Sequence, residues 1–410
     1  MADHGDVDEA RGPGLPPPSP LTYLLRTHAC MVAGEAVMAV ALADSMFLSI
    51  KPDDARPKVI LFLLLSFAPF TVVARYIGPF VERINGGQRA VMFGVALLRA
   101  VIMVGMVSSI KSLALFPLAF GALVLSKTYS ISKSAMVPAV VRGDARLVEA
   151  NSKLAKVAGI IGFTIGVPAF ILQMLSTSIT LYAGAVVFVL AAVQAWHLPR
   201  SRNEKSGDAS LEYEELHTPA VLQAAHTMRF LRGAVGFMFF HLAFWLRSEI
   251  GGTAWFAFAV AIGNFSILAA NWVAPWIRDH MKTSTMLTVS LAAVAAGGIG
   301  AGISGVFIAG VLLTAVVNAA AAIGRVAFES TVQSHAPDAD RVSTFARFET
   351  HNQLAWVAGG VLPVILRFDG HVGSWCIGIL GAIGMLVMMR GRAVTESRAA
   401  RATDPGRPAR

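Results

Sequence analysis

The sequence predicts an all-α polytopic membrane protein, with twelve membrane helices arranged as two halves of six. Three observations predict it. Of 410 residues, 55% are hydrophobic and 14% charged, whereas a soluble domain carries about 25% charged residues. The apolar residues fall into twelve runs, each long enough to cross a hydrocarbon core that needs about 20 helical residues. One mixed-charge segment, 199–217, divides these runs six and six.

Residues 1–21 read as a disordered tail, acidic and proline-rich from Asp3 to Pro20. They lack the basic start, short apolar run and small-residue cleavage site of a signal peptide, so the first span is expected to act as the insertion signal. The first half, 22–198, holds spans at 27–49, 59–80, 90–110, 112–135, 151–173 and 176–197. Polar breaks at Lys51–Lys58 and Asn85–Arg89 separate the first three, and short turns near Lys111 and Ser176 separate later ones. The linker 199–217 is expected to be cytoplasmic. The second half, 218–390, holds spans at 219–247, 251–277, 283–303, 305–329, 345–367 and 371–390, with a clear break at Pro337–Arg341. Residues 391–410 are basic and poor in large apolar side chains, and read as a second disordered tail.

Basic residues set the orientation. With the N-terminus in the cytoplasm, the outer loops hold Lys51, Arg56, Lys58, Lys111, Arg247 and Arg367, which is 6 of the 34 Lys and Arg. The positive-inside rule predicts that bias, and it puts both termini in the cytoplasm. It also accounts for the net charge of +9 without nucleic acid, because basic loops lie beside anionic headgroups. Cys30 and Cys376 fall in apolar spans, one per half, as packing residues. No phosphate-binding loop, metal-ligand spacing or nucleophile elbow occurs in the sequence. An ATP-driven pump, a metal centre, a bound cofactor and an enzyme are therefore not expected.

The halves echo each other. Leu154-Ala155-Lys156-Val157-Ala158-Gly159 and Leu354-Ala355-Trp356-Val357-Ala358-Gly359 agree at five of six positions, 200 residues apart. Gly78-Pro79-Phe80-Val81-Glu82-Arg83 and Ala274-Pro275-Trp276-Ile277-Arg278-Asp279 share a pattern of small, proline, aromatic, β-branched and two charged residues. Parallel six-helix repeats are a transporter plan.

Charge inside a span costs about 2.5–3.5 kcal/mol on insertion scales, so each such residue needs a partner, water or a task. Glu35 and Asp44 share the first span, but nine residues apart they face opposite sides. Glu35 lies nearer the bilayer middle and is the better proton carrier. Arg99 and Lys127 are its candidate partners. In the second half His241 and Asn318 are the polar residues nearest mid-membrane. Arg325, Glu329, Arg347 and Glu349 gather at the inner ends of the tenth and eleventh spans, as an inner gate network. Arg347 and Glu349 are two residues apart and so point apart.

These features resemble the major facilitator superfamily. The loop Gly78-Pro79-Phe80-Val81-Glu82-Arg83-Ile84-Asn85-Gly86-Gly87-Gln88-Arg89 is similar to the family's gating motif, with Gly78, Glu82, Arg83 and Arg89 matching in type. Lys127 stands where the family places an arginine. Gly159 to Pro168 resembles the glycine-rich antiporter motif. Ala336–Arg341 and Phe345–Glu349, together with Val137-Pro138 and Glu149-Ala150-Asn151, resemble bacterial drug and siderophore exporters. The resemblance implies the major facilitator fold and a rocker-switch secondary transporter, exporting a small amphipathic compound against protons. It implies a multi-pass protein of the plasma membrane, working as a monomer. In that fold the first, fourth, seventh and tenth helices line the cavity, which favours Lys127 over Arg99 as the functional base. The rival expectation is a transporter-like sensor or interaction protein.

Overall fold

The computed structural model describes residues 18–43, 87–110, 112, 114–141, 144–200, 218–246, 249–250, 252–335, 341–366 and 368–403. Within these residues the chain forms eleven helices and no strand. They are α1 (Pro20–Ala43), α2 (Gly87–Ser109), α3 (Leu115–Val140), α4 (Asp144–Leu175) and α5 (Thr177–Trp196) in the first half. The second half contributes α6 (Pro219–Trp245), α7 (Gly252–His280), α8 (Thr283–Ser304), α9 (Phe307–His335), α10 (Arg341–Ile365) and α11 (Gly370–Thr403). The span expected at 59–80 lies outside the described residues, as do Asp44, Gly78, Glu82 and Arg83.

Eight of the eleven helices are long and apolar enough to cross a membrane on length and composition alone. The other three, α3, α6 and α10, are the ones that carry Lys127 and Lys133, Arg232, and Glu349. Interior charge lowers their hydropathy without changing their place in the bundle. The chain is a multi-pass membrane protein.

Helix pairs repeat between the halves. In the first half α2 packs on α5 and α3, and α1 on α4 and α5. The corresponding pairs of the second half are α8 on α11 and α9, and α6 on α10 and α11, and all four occur. The repeat suggested by the sequence echoes is thus a repeat of packing. Small residues let the helices touch. Gly298 and Gly378 bring the α8 and α11 backbones together, and Gly236 lies against the Trp356 carbonyl of α10. A Cβ at Gly236 would strike that carbonyl, which cannot rotate away. Gly236→Val is expected to destabilise the second half by about 1–3 kcal/mol, read as a lower melting temperature of the purified protein.

Several helices outrun their apolar runs. α1 begins at Pro20 rather than 27, because Ser19 caps it: the Thr22 amide donates to Ser19 Oγ at 3.2 Å and proline suits the first helical position. α3 continues to Val140, α4 starts at Asp144, α9 continues to His335 and α10 starts at Arg341. All four extensions lie at one end of the bundle. α11 runs on to Thr403, past the expected boundary at 390. Its last turns are rich in alanine and arginine, good helix formers whatever their polarity.

The halves meet where α4 packs on α7 and α9, and α3 on α10 and α9. Val148, Ala274 and Val326 form a small apolar knot there. The Lys156 ammonium sits over the Trp272 ring, 4.6 Å from its centroid.

Candidate functional site

Glu35 on α1 is held from two sides. Arg99 Nη1 of α2 donates to Glu35 Oε1 at 2.5 Å, and Ser126 Oγ of α3 donates to the same oxygen at 2.5 Å. Arg99 is the largest fully buried side chain among the described residues. Its guanidinium lies over the Phe188 ring of α5, 4.4 Å from the centroid. Phe188 occupies that place because Gly34 has no side chain: a Cβ there would overlap the ring. Glu35 keeps 36% of its side chain exposed while that of Arg99 is wholly covered. The carboxylate is therefore the member of the pair that water can reach.

From the residue after Ser126 to about two turns further along α3, a second network spans both halves. Lys127 and Lys133 come from α3, Arg232 from α6, Arg325 and Glu329 from α9, and Glu349 from α10. Arg325 Nε donates to Glu329 Oε1 at 2.9 Å. Glu349 feels Arg325, Arg232, Lys127 and Lys133 as charged neighbours. Arg347 points outward and is exposed, as its two-residue offset from Glu349 requires.

Beyond this network the halves are stitched together at the end marked by the helix extensions. Asn151 Nδ2 of α4 donates to Gln333 Oε1 of α9 at 2.8 Å and approaches Ser330 Oγ at 3.3 Å. Gln333 Nε2 in turn donates to the Ser134 carbonyl of α3 at 2.8 Å. Only about 20 Å³ of space is left between Ser130, Ser134, Arg325, Phe345 and Glu349.

A larger cavity, about 230 Å³, opens in the second half between α6, α7 and α9. Its walls are mainly apolar, with Val235, Met238, Phe239 and Phe256, and its polar groups are Asn264, Thr314 and Asn318. Asn318 Nδ2 donates to the Thr314 carbonyl at 2.9 Å. Thr314 Oγ1 is buried without a hydrogen-bond partner.

Other expected site residues lie elsewhere. His241 does not line this cavity. It stacks between Phe237 and Trp245, at ring distances of 5.7 Å on each side, and packs against Gly373 of α11. The column Phe237–His241–Trp245 follows from spacing of four on one helix face. Arg89 stays within its own half, over the Trp196 ring at 4.5 Å, with Nη1 reaching the Leu198 carbonyl at 3.4 Å. Cys30 and Cys376 are free thiols, partly buried. The sequence reading missed His28, whose Nδ1 lies 3.2 Å from Tyr129 Oη in the core. Its position seven residues before Glu35 places both on one face of α1, and that spacing was the available signal.

No family model matches the chain. It is 32% identical over 422 residues to "Uncharacterized protein Rv0876c" of Mycobacterium tuberculosis (strain ATCC 25618 / H37Rv), covering 91% of this chain and 74% of that protein. "Uncharacterized protein ML2143" of Mycobacterium leprae (strain TN) is 28% identical over 421 residues, covering 91% and 72%. The chain belongs to the family of these mycobacterial proteins. Its fold is the major facilitator fold. A bacterial homologue of the iron transporter ferroportin, in an outward-facing state, matches with a TM-score of 0.67 at 15% identity, covering 92% of this chain and all of that one. The proton:xylose symporter XylE matches at 0.66 and 11% identity, covering 90% and 95%. The human organic anion transporter MFSD10 matches at 0.65 and 12% identity, covering 90% and 98%.

Proposed function

We propose that this protein is a proton-coupled secondary transporter that exports a small amphipathic compound by alternating access. The observation that carries the reading is the division of contacts between the halves. Beside the apolar knot of Val148, Ala274 and Val326, they meet through exchangeable polar bonds around Asn151, Gln333 and Ser134, next to a network of partly buried charge. Polar seams between rigid bodies are the kind of contact that rocking motions break and remake. With cytoplasmic termini, this seam lies on the inner side, and the arrangement corresponds to an outward-facing state.

Glu35 is the proton carrier in this reading. It is accessible, and both its partners are donors that a neutral carboxyl no longer attracts as strongly. Protonation loosens α1 from α2 and α3 and biases one state of the bundle. The test is flux in proteoliposomes under an imposed pH gradient. Glu35→Gln is expected to abolish uphill accumulation while substrate exchange at equal pH continues. Full pH-driven accumulation by that variant would remove Glu35 from the coupling.

A further inference from the structure

We propose that the groove between α4 and α7, at the inner side of the bundle, holds one anionic glycerophospholipid, its phosphate on Lys156 and its chains along the exposed stripes of both helices. The site joins the two halves. It rests on the cytoplasmic termini of the reading above, but not on proton coupling or export.

The first argument is depth. α4 carries no charged residue from Val157 to Leu175, a run of about 28 Å that matches a ~30 Å hydrocarbon core. Lys156 stands at the inner edge of that run. α7 begins at Gly252, so Trp272 lies about 30 Å along it, at the same inner edge. Helical side chains lean toward the N-terminus, which for α4 is the inner end, so the Lys156 ammonium reaches headgroup depth. Trp272 and Trp276 are 58% and 62% exposed, and such rings mark the membrane–water interface.

The second argument is what meets there. The Lys156 ammonium lies 4.6 Å from the centroid of the Trp272 ring, a contact that crosses from one half to the other, since α4 packs on α7. The ring covers one side of the ammonium. Lys156 stays partly exposed, and an ammonium carries three donors, so donors remain for a phosphate oxygen. The carboxylate on the same helix face, Glu149, is paired with Lys153 at 2.7 Å. Segments 142–156 and 278–282 together hold six Lys and Arg against three Asp and Glu, an excess of three positive charges.

The third argument is the path for the chains. Phe163 and Val167 follow Lys156 by seven and eleven residues and share its face, and Phe265 precedes Trp272 by seven and shares its face. They are 84%, 63% and 70% exposed. Two apolar stripes therefore run from the cation toward the bilayer middle. A soluble anion would leave these stripes without use, and a zwitterionic lipid brings its own cation to a cationic site. Basic inner faces attract anionic lipid diffusely; the Trp272 ring fixes one cation where both halves meet.

The full chain in detergent micelles tests this, titrated with dioleoyl phosphatidylglycerol, dioleoyl phosphatidylcholine or glycerol 3-phosphate. Apparent affinities come from shifts in melting temperature. The anionic lipid is expected to bind at least about fivefold more tightly than the zwitterionic one, the effect of one lysine beside an anionic headgroup. Lys156→Gln should remove most of that preference and Lys156→Arg should keep it. Arg390→Gln, at an exposed position of α11, should leave it unchanged, and glycerol 3-phosphate should give no shift. Equal binding of the two lipids overturns the proposal, as does a preference that survives Lys156→Gln. An equal loss in Arg390→Gln would mean diffuse attraction over the inner face, and an equal shift with glycerol 3-phosphate would mean a phosphate site; either result rejects the lipid. Failure of the transporter reading looks different: the lipid preference would persist in a protein that moves nothing under a pH gradient.

Discussion

Replacing Arg99 by leucine is expected to destabilise the protein by about 1–3 kcal/mol, the cost of a lost charge-assisted hydrogen bond to a carboxylate that water still reaches. The Glu35 carboxylate would keep only the Ser126 hydroxyl as donor, and the Phe188 ring would lose the guanidinium it supports. Glu35→Leu is expected to cost more, about 3–5 kcal/mol, because a guanidinium cannot shed its proton and Arg99 has no exposed side-chain surface. The double variant is expected to recover much of the loss. A buried pair replaced whole by apolar side chains is often neutral, so with a loss of about 1–3 kcal/mol in the double variant the coupling in a double-mutant cycle should be about 3–5 kcal/mol. Melting of the four proteins in one detergent measures it. Additive losses would mean that the two residues act separately. The double variant should also lack pH-driven flux while remaining folded, which separates the stability of this pair from its use in coupling.

The fold was largely legible because a membrane helix advertises itself by length and hydropathy. Legibility failed where helices turn polar at the junction of the halves. Ser330 and Gln333 lie beyond the expected end of the tenth span at 329, in a helix that runs to His335. Their polarity reads as a loop in a hydropathy profile. In the structure it is buried helix surface that bonds Asn151 and the Ser134 carbonyl. Asn151 stood at the start of its expected span for the same reason.

For the site, the insertion cost of charge picked out Glu35, Arg99, Lys127, Arg325, Glu329 and Glu349 without knowledge of their partners. Pairing depends on helix rotation and neighbours, which a single sequence does not hold. Family resemblance favoured Lys127 as the functional base and Arg99 as a structural ion-pair member; Arg99 does hold Glu35, and Lys127 has charged neighbours in Glu349, Arg232, Arg325 and Glu35. Gly34 explains part of this. Its missing Cβ admits Phe188, and Phe188 sets the plane on which Arg99 reaches Glu35. His241, one polar residue in an apolar helix, sits in a packing column that the aromatic spacing around it already described.

Gln333→Leu is expected to open the stitched end of the bundle. Gln333 accepts from Asn151 and donates to the Ser134 carbonyl, so one substitution removes two of the links between the halves and leaves the Asn151–Ser330 contact. At a net of about 0.5–1.5 kcal/mol per hydrogen bond, the loss is about 1–3 kcal/mol, or roughly 5–150-fold in the balance between two states. The shift favours opening because the freed amide and carbonyl groups regain water only when the seam parts. Spin labels at Arg146 on α4 and His335 on α9, both exposed at this end, report the gap when Cys30 and Cys376 are replaced by alanine. The unsubstituted seam should give one short distance. Gln333→Leu should add a longer population, and Asn151→Leu a comparable one, since it removes both contacts with α9, to Gln333 and Ser330, but spares the Gln333–Ser134 bond. If both variants melt earlier but keep the single short distance, the seam is a stability contact and gating resides in the charge network around Glu349.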